Sequence, residues 1–190
     1  MSPDAAHHLD PGGPWVIDTR DLGRRPGATR SYHLDVTLPE GLGLGVIGIP
    51  PGDTVSLRVR LESVVEGVLV SGTVSAKLTG DCVRCLDPLV NHLEVELTEL
   101  FAYPDTVTDA STDPDEVSRV VNDLVDLGPV VHDAVLLALP QAPLCSADCR
   151  GLCPQCGVKW AELSADHRHE TMDPRWAALT RWRGSEEENE

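Results

Sequence analysis

A chain of 190 residues, 41% of them apolar and 24% charged, has the composition of an ordinary globular protein and is long enough to bury a core without disulfides. Its formal net charge of −16 opposes phosphate backbones, which excludes nucleic-acid binding by overall charge and leaves only a local basic patch to do it. No run of about 18 apolar residues is present to span a membrane, and the opening Met1 to His8 has neither a basic start nor an apolar stretch. Both observations point to a cytoplasmic protein whose six cysteines meet a reducing compartment.

Aromatic residues make up only 4% of the chain, so the core is expected from Val, Leu, Ile and Ala, which recur in short alternating runs that favour a sheet. Residues 1–14, rich in Pro and Gly and without periodicity, read as a disordered lead-in, where His7 and His8 make a poor metal site. Trp15-Val16-Ile17 reads as a first short strand. The segment 20–30 carries Arg20, Arg24, Arg25 and Arg30 against Asp21 in a Gly/Pro loop, and is the one candidate nucleic-acid contact. The blander reading, a solvated loop balancing an acidic neighbour, is the favoured one.

Leu34, Val36 and Leu38 alternate with Asp35 and Thr37 as a second strand, followed by a glycine-rich stretch from Gly41 to Gly48. Val55, Leu57, Val59 and Leu61 then alternate strictly with polar residues, Glu66-Gly67 reverses the chain, and Val68, Val70, Val74, Ala76 and Leu78 form the antiparallel partner. A further strand carries Leu93, Val95 and Leu97, giving a meander. Acidic residues around Pro104 and Pro114 make 104–122 a flexible loop. Val130 to Leu139 is apolar nearly all round and ends at Pro140, which predicts a helix buried against the sheet, with His132 buried and donating to a carboxylate or carbonyl.

Near the end of the chain, Asp173-Pro174 opens a short terminal helix, and 184–190 is an acidic tail. The expected class is therefore α+β: an antiparallel meander or partly closed sheet on one buried helix over 15–143, with a small zinc-knuckle appendage over 144–183.

The strongest chemical signal is Cys145, Cys149, Cys153 and Cys156, four thiols within twelve residues. Zinc takes four tetrahedral Cys or His ligands. In Cys153-Pro154-Gln155-Cys156-Gly157 the proline fixes a turn, and the glycine permits the conformation that turns backbone N–H groups toward the thiolates. His167 and His169 follow after Trp160-Ala161-Glu162-Leu163, which reads as a short return arm. Three ligand sets are open for a structural zinc. The four clustered cysteines could bind alone, Cys153 and Cys156 could join an upstream cysteine and a downstream histidine, or they could join Cys82 and Cys85 across the domain. Cys82-Val83-Arg84-Cys85 lies in a turn between strands and not at a helix start, which disfavours thioredoxin-type chemistry. Those two thiols read either as metal ligands or as small buried groups shaping the turn.

No nucleophile elbow, phosphate-binding loop, dinucleotide fingerprint or His-Glu-x-x-His is present, so a non-catalytic protein is expected. Redox-active thiols, a zinc-held redox switch and a zinc-stabilised interaction module are the alternatives.

Four segments together resemble the YceD family of bacterial and plastid proteins: 21–27, 61–70, Gly80 to Leu86 with its Cys-x-Arg-Cys-Leu, and Gly151 to Gly157. The resemblance implies a role in the accumulation or processing of large-subunit ribosomal RNA and no known activity. The implied partner is a ribosomal RNA precursor, met by the four arginines, or a basic large-subunit ribosomal protein, met by the acidic remainder. Members lacking the later cluster keep Cys-x-Arg-Cys, which implies a separate task for Cys82 and Cys85. Where many members have Cys-x-Cys, this chain has His167-Arg168-His169, and since imidazole replaces thiolate at zinc, the departure favours ligation over redox chemistry.

Overall fold

The computed structural model describes residues 9–106 and 117–169, together with Arg175. Part of the acidic loop, the expected terminal helix, the acidic tail, His7 and His8 lie outside the described residues.

The alternating segments form an antiparallel sheet that curls into a half-barrel, with a single helix among the described residues. Its centre is a meander of β5 (Thr54–Ser63), β6 (Gly67–Asp81) and β7 (Pro88–Ala102). β7 pairs with β6 along its whole length, from Gly67↔Ala102 to Asp81↔Pro88. The opposite edge of β6 is divided between β5 and the short β4 (Ile47–Ile49). β2 (Thr29–Thr37) pairs with β5, and β3 (Leu42–Leu44) closes a hairpin with β4. Gly43 faces Gly48 in that hairpin, and a Cβ added at Gly43 would stand 2.4 Å from the Gly48 Cα. The glycine-rich stretch is therefore two strands in close approach.

Register places the predicted apolar residues on one face. Leu57 is opposite Val74, which is opposite Val95, and Leu61 is opposite Val70. Val55, Leu57, Leu61, Val70 and Val74 are fully buried. Each such side chain contributes about 1.5–3 kcal/mol by leaving water. β1 (Val16–Asp18) pairs with β8 (Leu124–Asp126) as a separate ribbon that brings the chain start to the segment before the helix.

α1 (Gly128–Ala138) carries Pro129 in its first turn, with the Gly128 N–H donating to Asp126 Oδ1 at 2.9 Å, and packs on β7 and β3. Val131 and Val135 are its buried residues, followed by the buried C-cap Leu139, whereas Leu137 is 87% exposed. The helix packs against the sheet as expected, but its apolar run is buried on one face only. His132 falls on the open face and is exposed; its Nδ1 lies 3.2 Å from the neighbouring Asp133 Oδ1, so its carboxylate partner is local and no buried imidazole exists there.

Candidate metal centre

The tip of the β6–β7 hairpin is built by Cys82 to Asp87. The Cys82 N–H donates to the Asp87 carbonyl at 2.8 Å, and the Leu86 N–H returns to the Cys82 carbonyl at 2.9 Å. The segment Cys153 to Val158 repeats the pattern: the Cys153 N–H donates to the Val158 carbonyl at 2.7 Å and the Gly157 N–H to the Cys153 carbonyl at 2.8 Å. Gly157 has φ of 72° and Leu86 has φ of 61°, so both turns close through a left-handed residue. The sulfur of Cys82 receives the N–H groups of Arg84 and Cys85, and that of Cys153 receives those of Gln155 and Cys156. In each turn the leading cysteine is buried, Cys82 at 0% and Cys153 at 1% exposure.

Burial opposes ionisation of Cys82, but N–H groups of Cys145, Cys85 and Arg84 outweigh it and hold the thiol at about 6. Cys153 is likewise lowered to about 6 against burial, by the Cys156 and Gln155 N–H groups and then by His167. Cys149 is raised, chiefly by burial; Cys85 and Cys145 are raised as well, burial and neighbouring thiols outweighing the favourable bonds from Asp87 to the first and Cys85 to the second. Each turn therefore presents one ready thiolate.

The structure divides the cysteine cluster. Cys145 and Cys149 gather with Cys82 and Cys85, while Cys153 and Cys156 gather with His167 and His169; in each group all four ligand atoms lie within 4.8 Å of one another. In the first group the Cys82 and Cys149 sulfurs are 3.8 Å apart and those of Cys85 and Cys145 are 3.5 Å apart. In the second, the Cys153 sulfur is 3.2 Å from His169 Nε2 and the Cys156 sulfur 3.7 Å from His167 Nε2. Tetrahedral zinc with ligand bonds of about 2.0 to 2.3 Å places sulfurs roughly 3.8 Å apart and sulfur and nitrogen roughly 3.6 Å apart, so both groups could hold the ion. All six cysteines are free thiols.

Other side chains set these ligands in place. Trp160 stands edge-on to His167 with ring centroids 5.6 Å apart, and Arg150 lies 4.9 Å over the same indole. Leu152 and Lys159 form an antiparallel bridge, and the Trp160 N–H reaches the Gly151 carbonyl at 3.0 Å, so the chain returns at Lys159, whereas Trp160 to Leu163, expected as the return arm, forms turns and a bend. Three hydrogen bonds to backbone carbonyls join this segment and its lead-in to the hairpin tip. Arg84 Nη1 donates to the Cys149 carbonyl at 2.8 Å, the Leu152 N–H donates to the Arg84 carbonyl at 3.2 Å, and the Val83 N–H donates to the Pro143 carbonyl at 3.0 Å. Lys159 pairs with Asp87, which holds the Asp87 carboxyl below, and the Lys159 ammonium above, their ordinary values. Arg84 and Lys159 were not legible as site residues, because their roles depend on contacts across more than sixty positions of sequence.

The arginine segment is folded back on its own chain. Arg20 pairs with Asp18, Arg24 lies 3.5 Å from Asp123 and 4.8 Å over the Tyr103 ring, and Arg30 reaches the Asp21 carbonyl at 3.4 Å. Arg25 has no side-chain partner among the described residues. All four side chains are nevertheless exposed.

Comparison with known proteins settles the family. The family model described as large ribosomal RNA subunit accumulation protein YceD matches residues 70–181. The chain belongs to the YceD family. The match spans the hairpin, its tip and both groups of ligands. An uncharacterized protein of Mycobacterium tuberculosis is 50% identical over 184 residues, covering 97% of this chain and 87% of that one. One from Mycobacterium leprae is 43% identical over 88% of this chain and 76% of its own length. The Bacillus subtilis protein YlbN, also uncharacterized, is 29% identical over 66% of this chain and 72% of its own. No solved structure matches. No helix among the described residues is long and apolar enough to cross a membrane.

Proposed function

We propose that this YceD-family chain is a non-catalytic binding factor for the accumulation of large-subunit ribosomal RNA or the assembly of the large subunit. A structural zinc ion at Cys153, Cys156, His167 and His169 would shape its C-terminal segment. Membership of the family carries this reading, since the role appears in the family's own description. The site geometry supports the binding half: the thiols are arranged as ligands, with N–H groups aimed at the leading sulfurs. When bound, zinc supplies cross-linking of chain segments, and Trp160 and the 152–159 bridge orient the groups that receive it.

The partner is a ribosomal RNA precursor or a basic large-subunit ribosomal protein, in the cytoplasm. The net charge of −16 favours the basic protein, and so do the intramolecular engagements of Arg20, Arg24 and Arg30. The test is recovery of the tagged full chain from cells, with sequencing of retained RNA and identification of retained proteins. Enrichment of large-subunit RNA precursors or of a basic large-subunit protein supports the reading; enrichment of neither, in cells actively assembling ribosomes, overturns it. If RNA is touched directly, replacing Arg20, Arg24, Arg25 and Arg30 by Ala weakens retention and flattens its salt dependence by about 0.9 in logarithmic slope per lost phosphate contact.

A further inference from the structure

Two independent features meet at the hairpin tip. The turn Cys82 to Asp87 reproduces the backbone bonding of Cys153 to Val158, including two N–H groups on the leading sulfur and a left-handed residue after the second cysteine. A left-handed residue is common in hairpin turns, but a turn that merely reversed two strands would not need its N–H groups on a sulfur. The second feature is the arrival of Cys145 and Cys149 opposite this turn, sulfur to sulfur, from a segment more than fifty residues later.

We propose that Cys82, Cys85, Cys145 and Cys149 form a second zinc centre, separate from the one at Cys153, Cys156, His167 and His169, which fastens the tip of the β6–β7 hairpin to the C-terminal segment. Four thiolates leave this centre with two net negative charges, whereas two thiolates and two imidazoles leave the other neutral. The surroundings answer that difference in part: the Arg84 guanidinium donates to the Cys149 carbonyl, while Lys159 offsets the Asp87 carboxylate that lies 3.4 Å from the Cys85 sulfur. Each coordinated thiol gives up one proton to solvent, and no bond between protein atoms is made or broken. The sulfur separations of 3.5 and 3.8 Å suit a shared ion and far exceed the disulfide length of about 2.05 Å. The clamp would fix in place the polar and backbone bonds that join the tip to residues 143–159. This inference does not depend on a ribosomal role.

The experiment uses the full chain, expressed with added zinc and purified under reducing conditions, with zinc counted by elemental analysis and native mass spectrometry. Two ions per chain are expected. The variant C82S/C85S should keep one, and C153S/C156S should keep one. Cobalt(II) exchanged into C153S/C156S should give the lower-energy ligand-field bands and intense charge transfer of four thiolates, and cobalt in C82S/C85S the higher-energy bands of two thiolates and two imidazoles. Should C82S/C85S fail to fold, cobalt titration of the unaltered chain still decides, since two equivalents must produce both spectra. A single ion in the unaltered chain overturns the proposal, as does a C82S/C85S variant that keeps both ions. So does a mass four hydrogens lower, with Cys82, Cys85, Cys145 and Cys149 protected from alkylation as two disulfides.

Discussion

Leu86 and Gly157 hold the same station in two turns of matching backbone bonding, with φ of 61° and 72°, yet only one of them is a glycine. The left-handed conformation costs a residue bearing a Cβ about 1–2 kcal/mol. The Leu86 side chain is largely exposed and recovers little of that by burial. Leu86→Gly should therefore stabilise the chain by about 1 kcal/mol after the extra freedom of glycine in the unfolded state is deducted. Gly157→Leu should destabilise by a similar amount. Urea midpoints of the zinc-loaded proteins check both, and a destabilised Leu86→Gly would show that the leucine side chain has a partner that burial does not reveal.

Gly151 combines φ of 76° with a close approach: an added Cβ would lie 2.8 Å from the Arg84 carbonyl oxygen. Gly151→Ala should cost about 1–3 kcal/mol and loosen the contact that brings Cys149 to the hairpin tip. Limited proteolysis should then cut the segment around residues 140–150 faster, while amide exchange in β5 and β6 stays slow. Unchanged proteolysis would mean that the segment is held without this contact.

In the reduced, metal-free chain, the Cys82 and Cys153 thiols stand at about 6 against an ordinary value of 9.0. Between these limits the unfolded chain binds more protons than the folded one, so stability rises with pH. The contribution is complete above about pH 9, and it is lost as pH falls through about 6. Cys85, Cys145 and Cys149 shift upward, so their opposing effect falls above the ordinary thiol range. Denaturation midpoints of chelator-treated protein at three pH values in this window should increase; a flat series would place the leading thiols in ordinary surroundings.

Ser63 is fully buried, and its hydroxyl meets the Tyr103 hydroxyl at 3.1 Å. Removing one partner leaves a desolvated oxygen, so Tyr103→Phe should cost about 1–3 kcal/mol. The ring beneath Arg24 would remain, which isolates the hydrogen bond from the cation–π contact. A double substitution that also changes Ser63→Ala should recover part of the loss, read as a coupling in thermal midpoints.

Sequence periodicity located the meander because Val55 to Leu61 and Val68 to Leu78 alternate at the period of a strand with one buried face. It overlooked the β3–β4 hairpin, where Gly43 and Gly48 carry no apolar side chain to reveal a face. It also overestimated the burial of α1, since an apolar run does not say how much sheet lies beneath it, and Leu137 and His132 stand outside. Spacing identified the thiols and both histidines as ligand material but could not sort them. The sorting follows from the β6–β7 register, which carries Cys82 and Cys85 to the place where Cys145 and Cys149 arrive. That pairing is tertiary information, absent from any local window of residues.

The sulfurs that face one another across the hairpin tip are separated by 67 and 60 positions of chain. A ribosome adding roughly 5–20 residues each second would expose the earlier pair several seconds before the later pair exists. During that interval Cys82 and Cys85 form half a nest, available to any passing metal or thiol until Cys149 has been made.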